Sequence, residues 1–482
     1  MLQELTQALR TRKVSSAELV AQAIARIEIF DKALNAVVVR NFAAAREAAS
    51  AADAALARGE RQPLLGIPIT VKESFNVAGL TTTWGNPQFR EFLPSQDAVT
   101  VARLKRAGAI MLGKTNVPFQ LADIQSYNQI YGTTNNPWDL DRSPGGSSGG
   151  SAAALAAGFT PLSLGSDLGG SLRVPAHFCG VFAHKPSLGL VPERGHTPPG
   201  VPPIPRDPDL AVVGPMARTA ADLQLALDVL AGPDEARAGV GYRLALRPAR
   251  HDDLKSFRVL LIDTHPLVPT GSAVRTALAL VSERLVRCGV KLSHSSPLLP
   301  DLAQSARTFM RLWSSFRGAV APATVYGEMG RRAEALPIDD ASLLAERARG
   351  ASMSYRDWFA ADAARQRLRQ QWFSLFREWD VVICPVMAVP ATPHDHSEPI
   401  EARTLAIDGK SYPFRDTYLI WSELATSSGL PATTMPITGT QSPLPVGIQI
   451  VGPYLEDRTT LQFAQLMERE FGGFVAPPGY AA

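Results

Sequence analysis

Gly145-Gly-Ser147-Ser-Gly-Gly-Ser151 and, after it, Ser166-Asp-Leu-Gly-Gly-Ser171 are the residues from which the architecture of this chain can be worked out. Glycine and serine at this density mark turns, because glycine reaches backbone conformations closed to other residues. They lie within a Gly-, Ser- and Pro-dominated region, Asn135 to Pro199, with ordinary secondary-structure patterns on both sides. Upstream, Ser15-Ser-Ala-Glu18 has the spacing of a capping box and opens a stretch in which Leu19, Ala23, Ile24 and Ile27 recur at helical intervals. Ala43 to Ala57 is an alanine-rich helix former. After Arg61, the short apolar runs Ile67 to Val71 and Ala109 to Leu112, separated by Gly- and Pro-bearing turns, predict strands buried between helices. Helices resume after Pro215, with an amphipathic one over Ala360 to Phe376 ahead of an apolar strand, Val381-Val-Ile-Cys384. This alternation predicts an α/β protein.

No linker, charge run or internal repeat divides the 482 residues, so one large domain accommodates them. A composition of 45% hydrophobic and 19% charged residues supports a large buried core. The 48 basic and 45 acidic residues leave a net charge of +3, spread along the chain rather than gathered in the basic stripe of a nucleic-acid binder. Cys179, Cys288 and Cys384 are odd in number, far apart and without metal-ligand spacing, which argues against a disulfide framework or a zinc site and fits a reducing cytoplasm. Met1 to Arg12 lacks the apolar core of a signal peptide, and no apolar run of about eighteen residues occurs. Neither secretion nor membrane spanning is expected.

Two motif matches point elsewhere. Gly108-Ala-Ile-Met-Leu-Gly113-Lys114-Thr115 has the letters of a phosphate-binding loop, which needs a strand before it and a helix after it. Here a helical Val101 to Ala107 precedes, an apolar strand fills the gap and Pro118 follows. Gly145-Gly-Ser147-Ser-Gly149 matches the nucleophile elbow of α/β-hydrolases, which would make Ser147 an esterase nucleophile served by a histidine. Its lead-in, Asn136-Pro-Trp-Asp-Leu-Asp-Arg-Ser-Pro144, is loop-like, His177 reads as a core histidine, and His394 and His396 lie in a Pro-rich loop.

A lysine after an apolar strand, Ile69-Thr-Val-Lys72-Glu73, completes a constellation with the two serine clusters. Together they resemble the amidase signature family. Gly132-Thr-Thr-Asn-Asn-Pro-Trp-Asp139 through Gly146-Ser-Ser-Gly-Gly-Ser-Ala-Ala-Ala-Leu-Ala-Ala-Gly158 is similar to that family's signature almost residue for residue, and Asp167 to Pro175 continues it. Further echoes are Gly214-Pro-Met-Ala-Arg218, Gly429-Leu-Pro-Ala432 and Leu444 to Pro453. The resemblance covers 60–235 and 425–470 and fades over 236–420, where such proteins diverge and where much of the substrate pocket is usually built. It implies a single domain over 1–482 with a central mixed β-sheet flanked by helices on both faces. It further implies Ser171 as nucleophile, Ser147 (with a cis peptide bond on its N-terminal side) as proton bridge, and Lys72 as general base. Leu168, Gly169, Gly170 and Ser171 would offer backbone N–H groups to an oxyanion. Asp167 would orient that turn, Arg173 would form a structural ion pair, Ser148 would support the site, and Leu121, Asp123 and Ile124 would border the acyl pocket. Departures from the family pattern are Glu73 where Asp is frequent, Ser187 where many relatives have Thr, and Leu419 where the A-type subunits of glutaminyl-tRNA amidotransferases carry a glutamine-binding Asp.

The chemistry fits the residue types. A serine hydroxyl is a weak nucleophile and needs a base, and a neutral lysine can replace the usual histidine. Burial can lower a lysine from its ordinary pKa of about 10.4 by roughly 3–5 units. The implied activity is hydrolysis of a small aryl or alkyl amide through an acyl-Ser171 intermediate, with carbamate and ester cleavage as secondary expectations. No metal or cofactor is required, and the expected partner is a small-molecule amide or carbamate, with no nucleic acid and no membrane, for a monomer or homodimer. The alternatives are a glutaminase component of the amidotransferase A type, an esterase using Ser147, and a binding module without catalysis. Arg194-Gly-His-Thr-Pro-Pro-Gly200, within the loop 192–205, is expected to be mobile near the mouth of the site.

Overall fold

The computed structural model describes residues 1–201, 208–236, 240–319 and 321–481. Eleven strands form one mixed sheet: β1 Val37–Arg40, β2 Pro68–Lys72, β3 Ile110–Thr115, β4 Leu162–Asp167, β5 Phe182–Lys185, β6 Val212–Ala217, β7 Arg258–Leu261, β8 Lys291–Ser293, β9 Val381–Pro385, β10 Ala432–Pro436 and β11 Gly447–Val451. Their order across the sheet is β1-β3-β2-β4-β6-β5-β10-β11-β9-β7-β8. β2 runs parallel to both β3 and β4, and β7 runs parallel to both β8 and β9, while the remaining neighbours are antiparallel.

Alternation along the strands shows why helices cover both faces. In β7, Val259 and Leu261 enter one apolar cluster and Leu260 a second; in β9, Val381 and Ile383 join the first while Val382 and Cys384 join the second. Successive strand side chains point to opposite faces, so a strand apolar at every position must be buried on both. The first cluster is closed by the helices Ser16–Leu34, Phe42–Ala57, Ala220–Leu230, Ser272–Arg287 and Asp457–Phe471, and the second by Leu302–Ala319, Tyr355–Glu378 and Phe414–Leu419. The mixed sheet with helices on both faces is thus the architecture expected from sequence.

Local chemistry sets the element ends. Ser15 caps the helix Ser16–Leu34 and both halves of its capping box are made, Ser15 Oγ accepting from Glu18 N and Glu18 accepting from Ser15 N. Ser354 caps Tyr355–Glu378 with its side chain alone, Oγ accepting from Asp357 N. Among the described residues no helix is long and apolar enough to cross a membrane. Lys72 ends β2 and Asp167 ends the parallel neighbour β4, so both chemically distinctive residues emerge at one C-terminal edge, the usual place for sites in α/β sheets.

Candidate active site

Lys72 is fully buried, and its Nζ donates to Ser147 Oγ at 2.6 Å and to Ser166 Oγ at 2.9 Å. Burial lowers its pKa to about 7, against the opposing charge of Asp167. Ser147 follows a cis peptide bond, Gly146-Ser147, as the resemblance implied. Gly146 leaves no room for a side chain: a Cβ there would lie 2.6 Å from Gln125 N and Ile124 C and 2.7 Å from Asp123 O. The backbone of 123–125 therefore backs directly onto the peptide that presents Ser147. After Ser148, the helix Gly149–Ala156 carries the chain away with every residue buried. Ser148 Oγ donates to Ser166 O at 3.3 Å and accepts from Ser166 N at 3.4 Å, joining this helix start to the end of β4.

The second serine sits on the turn after β4. Asp167 is fully enclosed and accepts from Gly170 N at 2.8 Å, Leu172 N at 3.1 Å and the Arg173 guanidinium through both Nε, 3.0 Å, and Nη2, 2.9 Å. Burial alone would raise its pKa, but the Arg173 charge and hydrogen bonds, then Lys185 and Gly170 N–H, bring it to about 2. Arg173 also donates to Ser422 O, Gln449 Oε1 and Thr426 Oγ1, so the turn is bolted to β11 and to the helix Glu423–Ser427. Gly170 has φ +104°, and a Cβ there would meet Ser422 Oγ at 2.3 Å. Its N–H faces inward to Asp167; the N–H groups of Leu168, Gly169 and Ser171 make no hydrogen bond among the described residues. Ser171 is partly exposed, its carbonyl accepts from Ser148 N at 3.2 Å, and its Oγ makes no hydrogen bond among the described residues.

Of the expected pocket residues, Ile124 is buried and Leu121 partly exposed, while the Asp123 carboxylate is already engaged by Arg403 Nη1 at 2.6 Å and by Tyr127 OH at 3.2 Å. Burial raises the Asp123 pKa and Arg403 lowers it. Three further neighbours complete the surroundings, of which Leu419 is marked by the family resemblance. Ser166 is the second partner of Lys72, and Trp313 and Leu419 flank Gly169: a Cβ on Gly169 would stand 2.8 Å from Leu419 Cδ2 and 3.8 Å from Trp313 Nε1. Ser166 lies inside the second serine cluster and could have been found there; Trp313 carries no local signal.

His177 is fully buried, with Nδ1 accepting from Gly447 N at 2.7 Å and Nε2 meeting Val389 O at 3.0 Å. Burial depresses its pKa to about 4, and both ring nitrogens are held by backbone, so it is the core histidine expected rather than an elbow partner. No strand leads into Gly145. Lys114 Nζ, the lysine of the phosphate-loop letters, sits inside β3 and donates to Thr82 Oγ1 at 2.6 Å. Glu73 accepts from the N–H groups of Thr83 and Trp84, the latter at 3.0 Å, and from Tyr131 OH at 3.3 Å. The Arg194–Gly200 loop is tied down: Asn76 N donates to Gly195 O, Val99 N to Arg194 O, and His196 packs on Phe75 and Trp84 with Ser74 Oγ 2.9 Å from its Nε2. The end of that loop, 202–205, lies outside the described residues.

The family model described as Amidase matches residues 18–461. The chain is 32% identical over 504 residues to fatty-acid amide hydrolase 2-A of Danio rerio, covering 98% of this chain and 89% of that protein. It is 34% identical over 487 residues to the A component of the glutamyl-tRNA(Gln) amidotransferase of Thermus thermophilus, covering 95% and 94%. Among solved structures, a protein described with the evolutionary origins of an s-triazine catabolic enzyme superposes with a TM-score of 0.81 at 28% identity, covering 97% of each chain. A bacterial aryl acylamidase of the amidase signature enzymes shares the fold at TM-score 0.79 and 23% identity, covering 98% and 96%.

Proposed function

The chain belongs to the amidase family and is an amide-hydrolysing enzyme, and we propose that it works through an acyl-Ser171 intermediate with Ser147 as proton bridge and Lys72 as base. The observation that carries this reading is the 2.6 Å bond between Ser147 and a fully buried lysine whose pKa falls to about 7. A lysine in that state holds a lone pair near neutral pH. Ser171 Oγ attacks the amide carbon as its proton passes to Ser147 and the Ser147 proton to Lys72. The carbonyl oxygen, now negative, is met by the free N–H groups of Leu168, Gly169 and Ser171, with Gly170 holding the turn through Asp167. Collapse breaks the C–N bond, and the departing nitrogen takes the Ser147 proton, which Lys72 replaces. Water then attacks the acyl-enzyme along the same relay and restores Ser171.

We assign small aryl or alkyl amides as the substrates, with carbamates and esters cleaved secondarily. Leu419, Trp313 and Ile124 belong to one apolar cluster, and the first two stand beside Gly169, which supports an apolar acyl site; an isobutyl group at Leu419 offers no acceptor to a glutamine side chain. The test is a chromogenic panel of aryl amides, carbamates and esters with wild type and Ser171→Ala, Ser147→Ala, Lys72→Ala and His177→Ala. Amide cleavage should fall by at least about 10³-fold in the first three and survive in the fourth. Activity that persisted in Lys72→Ala but required His177 would defeat the assignment. Selective cleavage of glutamine would instead favour the glutaminase reading.

A further inference from the structure

Beyond Gly169, an arginine cluster surrounds the indole of Trp313. Arg317, one turn on in the same helix, places its Cζ 5.6 Å from the Trp313 ring centroid, and Arg415, from the helix Phe414–Leu419, places its own at 5.9 Å. Arg347 stands nearby, 3.0 Å from Asp416. Two carboxylates serve the three cations: Glu401 takes Arg415 Nε at 3.2 Å, Asp416 takes Arg347, and Arg317 has no ion-pair partner among the described residues. Arg415 is 4% exposed, yet its Nη1 is buried without a hydrogen-bond acceptor. A buried guanidinium N–H left unmatched is costly, and an aromatic face compensates only in part. The missing complement is a planar anion that can accept from the guanidinium fork.

The same helix reaches the acyl side of the site. Leu419 and Trp313 touch the Gly169 turn, and Arg403, which binds Asp123, lies with its Cζ 5.9 Å from the Phe414 ring. From these juxtapositions we propose that Arg415 and Arg317 form an anion subsite at the far end of the acyl pocket, and that the enzyme prefers amides whose acyl chain ends in a carboxylate. This rests on the acyl-Ser171 reading above and names the substrate class for it. An apolar methylene arm lies along Leu419 and Trp313, and the terminal carboxylate accepts from Arg415 Nη1 and pairs with Arg317.

The test compares the mono-4-nitroanilides of succinic, glutaric and adipic acids with the uncharged nitroanilides of butyric, valeric and hexanoic acids. Wild type should favour the acid of best length by about tenfold or more in kcat/KM, and Arg415→Met and Arg317→Met should each reduce that ratio about tenfold, mainly through KM. Arg317→Glu should turn the preference toward a 6-aminohexanoyl nitroanilide. Arg317 is exposed, so its variants decide the matter even if Arg415→Met unfolds, which thermal melting reveals. A wild-type preference for the uncharged series, or a ratio unchanged in the Arg317 variants, overturns the subsite. Nitroaniline release that survives Ser171→Ala overturns the acyl-enzyme reading instead, so the two failures are distinct.

Discussion

Lys72 shows how much one side chain's surroundings decide. As a letter it reads as a solvated cation; enclosed at the end of β2 it loses its proton near neutrality because burial disfavours the charged form more than Asp167 restores it. If it is the base, kcat/KM for a neutral amide should climb about tenfold per pH unit below about 7 and level off above, since only the neutral amine accepts the proton. A flat profile across pH 6–8 would remove Lys72 from that role. The residue types and their spacing were legible through the family resemblance, whereas burial depends on which helices close over β2, and no window of sequence around Lys72 contains that information.

At the level of elements, the site is two tight connections held by their neighbours. Gly146 abuts the backbone of 123–125, which cannot retreat as a flexible side chain can, so Gly146→Ala should cost at least about 1–3 kcal/mol in urea unfolding and displace Ser147, lowering kcat. The Asp167–Arg173 pair, both side chains fully buried, ties the Ser171 turn to the helix that follows it. Arg173→Met leaves a carboxylate buried and unpaired, for which a loss of about 3–5 kcal/mol is expected, read from the same denaturation curves. Stability within about 0.5 kcal/mol of wild type would show that water or another cation replaces the guanidinium. The strands β2, β3 and β9 were legible as apolar runs. The hairpin Thr404–Ile407 with Lys410–Pro413 passed unread, although Asp408-Gly409, both at positive φ, is the dipeptide such a two-residue turn favours.

Across the whole molecule, a buried polar contact ties the divergent segment to the residues just ahead of the second signature stretch. Ser305, in the helix Leu302–Ala319, donates to Glu423 Oε2 at 2.9 Å just beyond Ser422. Burial raises the Glu423 pKa to about 8, more than Ser305 and Arg173 lower it. The folded state therefore holds a proton that the unfolded chain, titrating near 4.5, releases, so the stability contributed is complete below about 4.5 and is lost as pH rises to about 8. Glu423→Gln should remove this loss: relative to wild type, its stability should gain by up to about 1.4 kcal/mol per pH unit between pH 5 and 8. Parallel curves of Tm against pH for the two proteins would refute it.

Local sequence was enough for the alternation of helices with buried strands, for the capping box at Ser15, and, through the resemblance carried by Ile69–Glu73, Gly145–Ser151 and Ser166–Ser171, for the family and the three residues assigned to its chemistry. These follow from local periodicity and from short motifs in which backbone conformation leaves little choice of residue. Only the folded chain reveals that Lys72 is enclosed against Ser147 and Ser166, that Asp123 is held by Arg403, and that Trp313 and Leu419 reach Gly169. Those contacts join residues far apart in the chain. They arise from burying two faces of one sheet under separate layers of helices, which a local pattern does not encode.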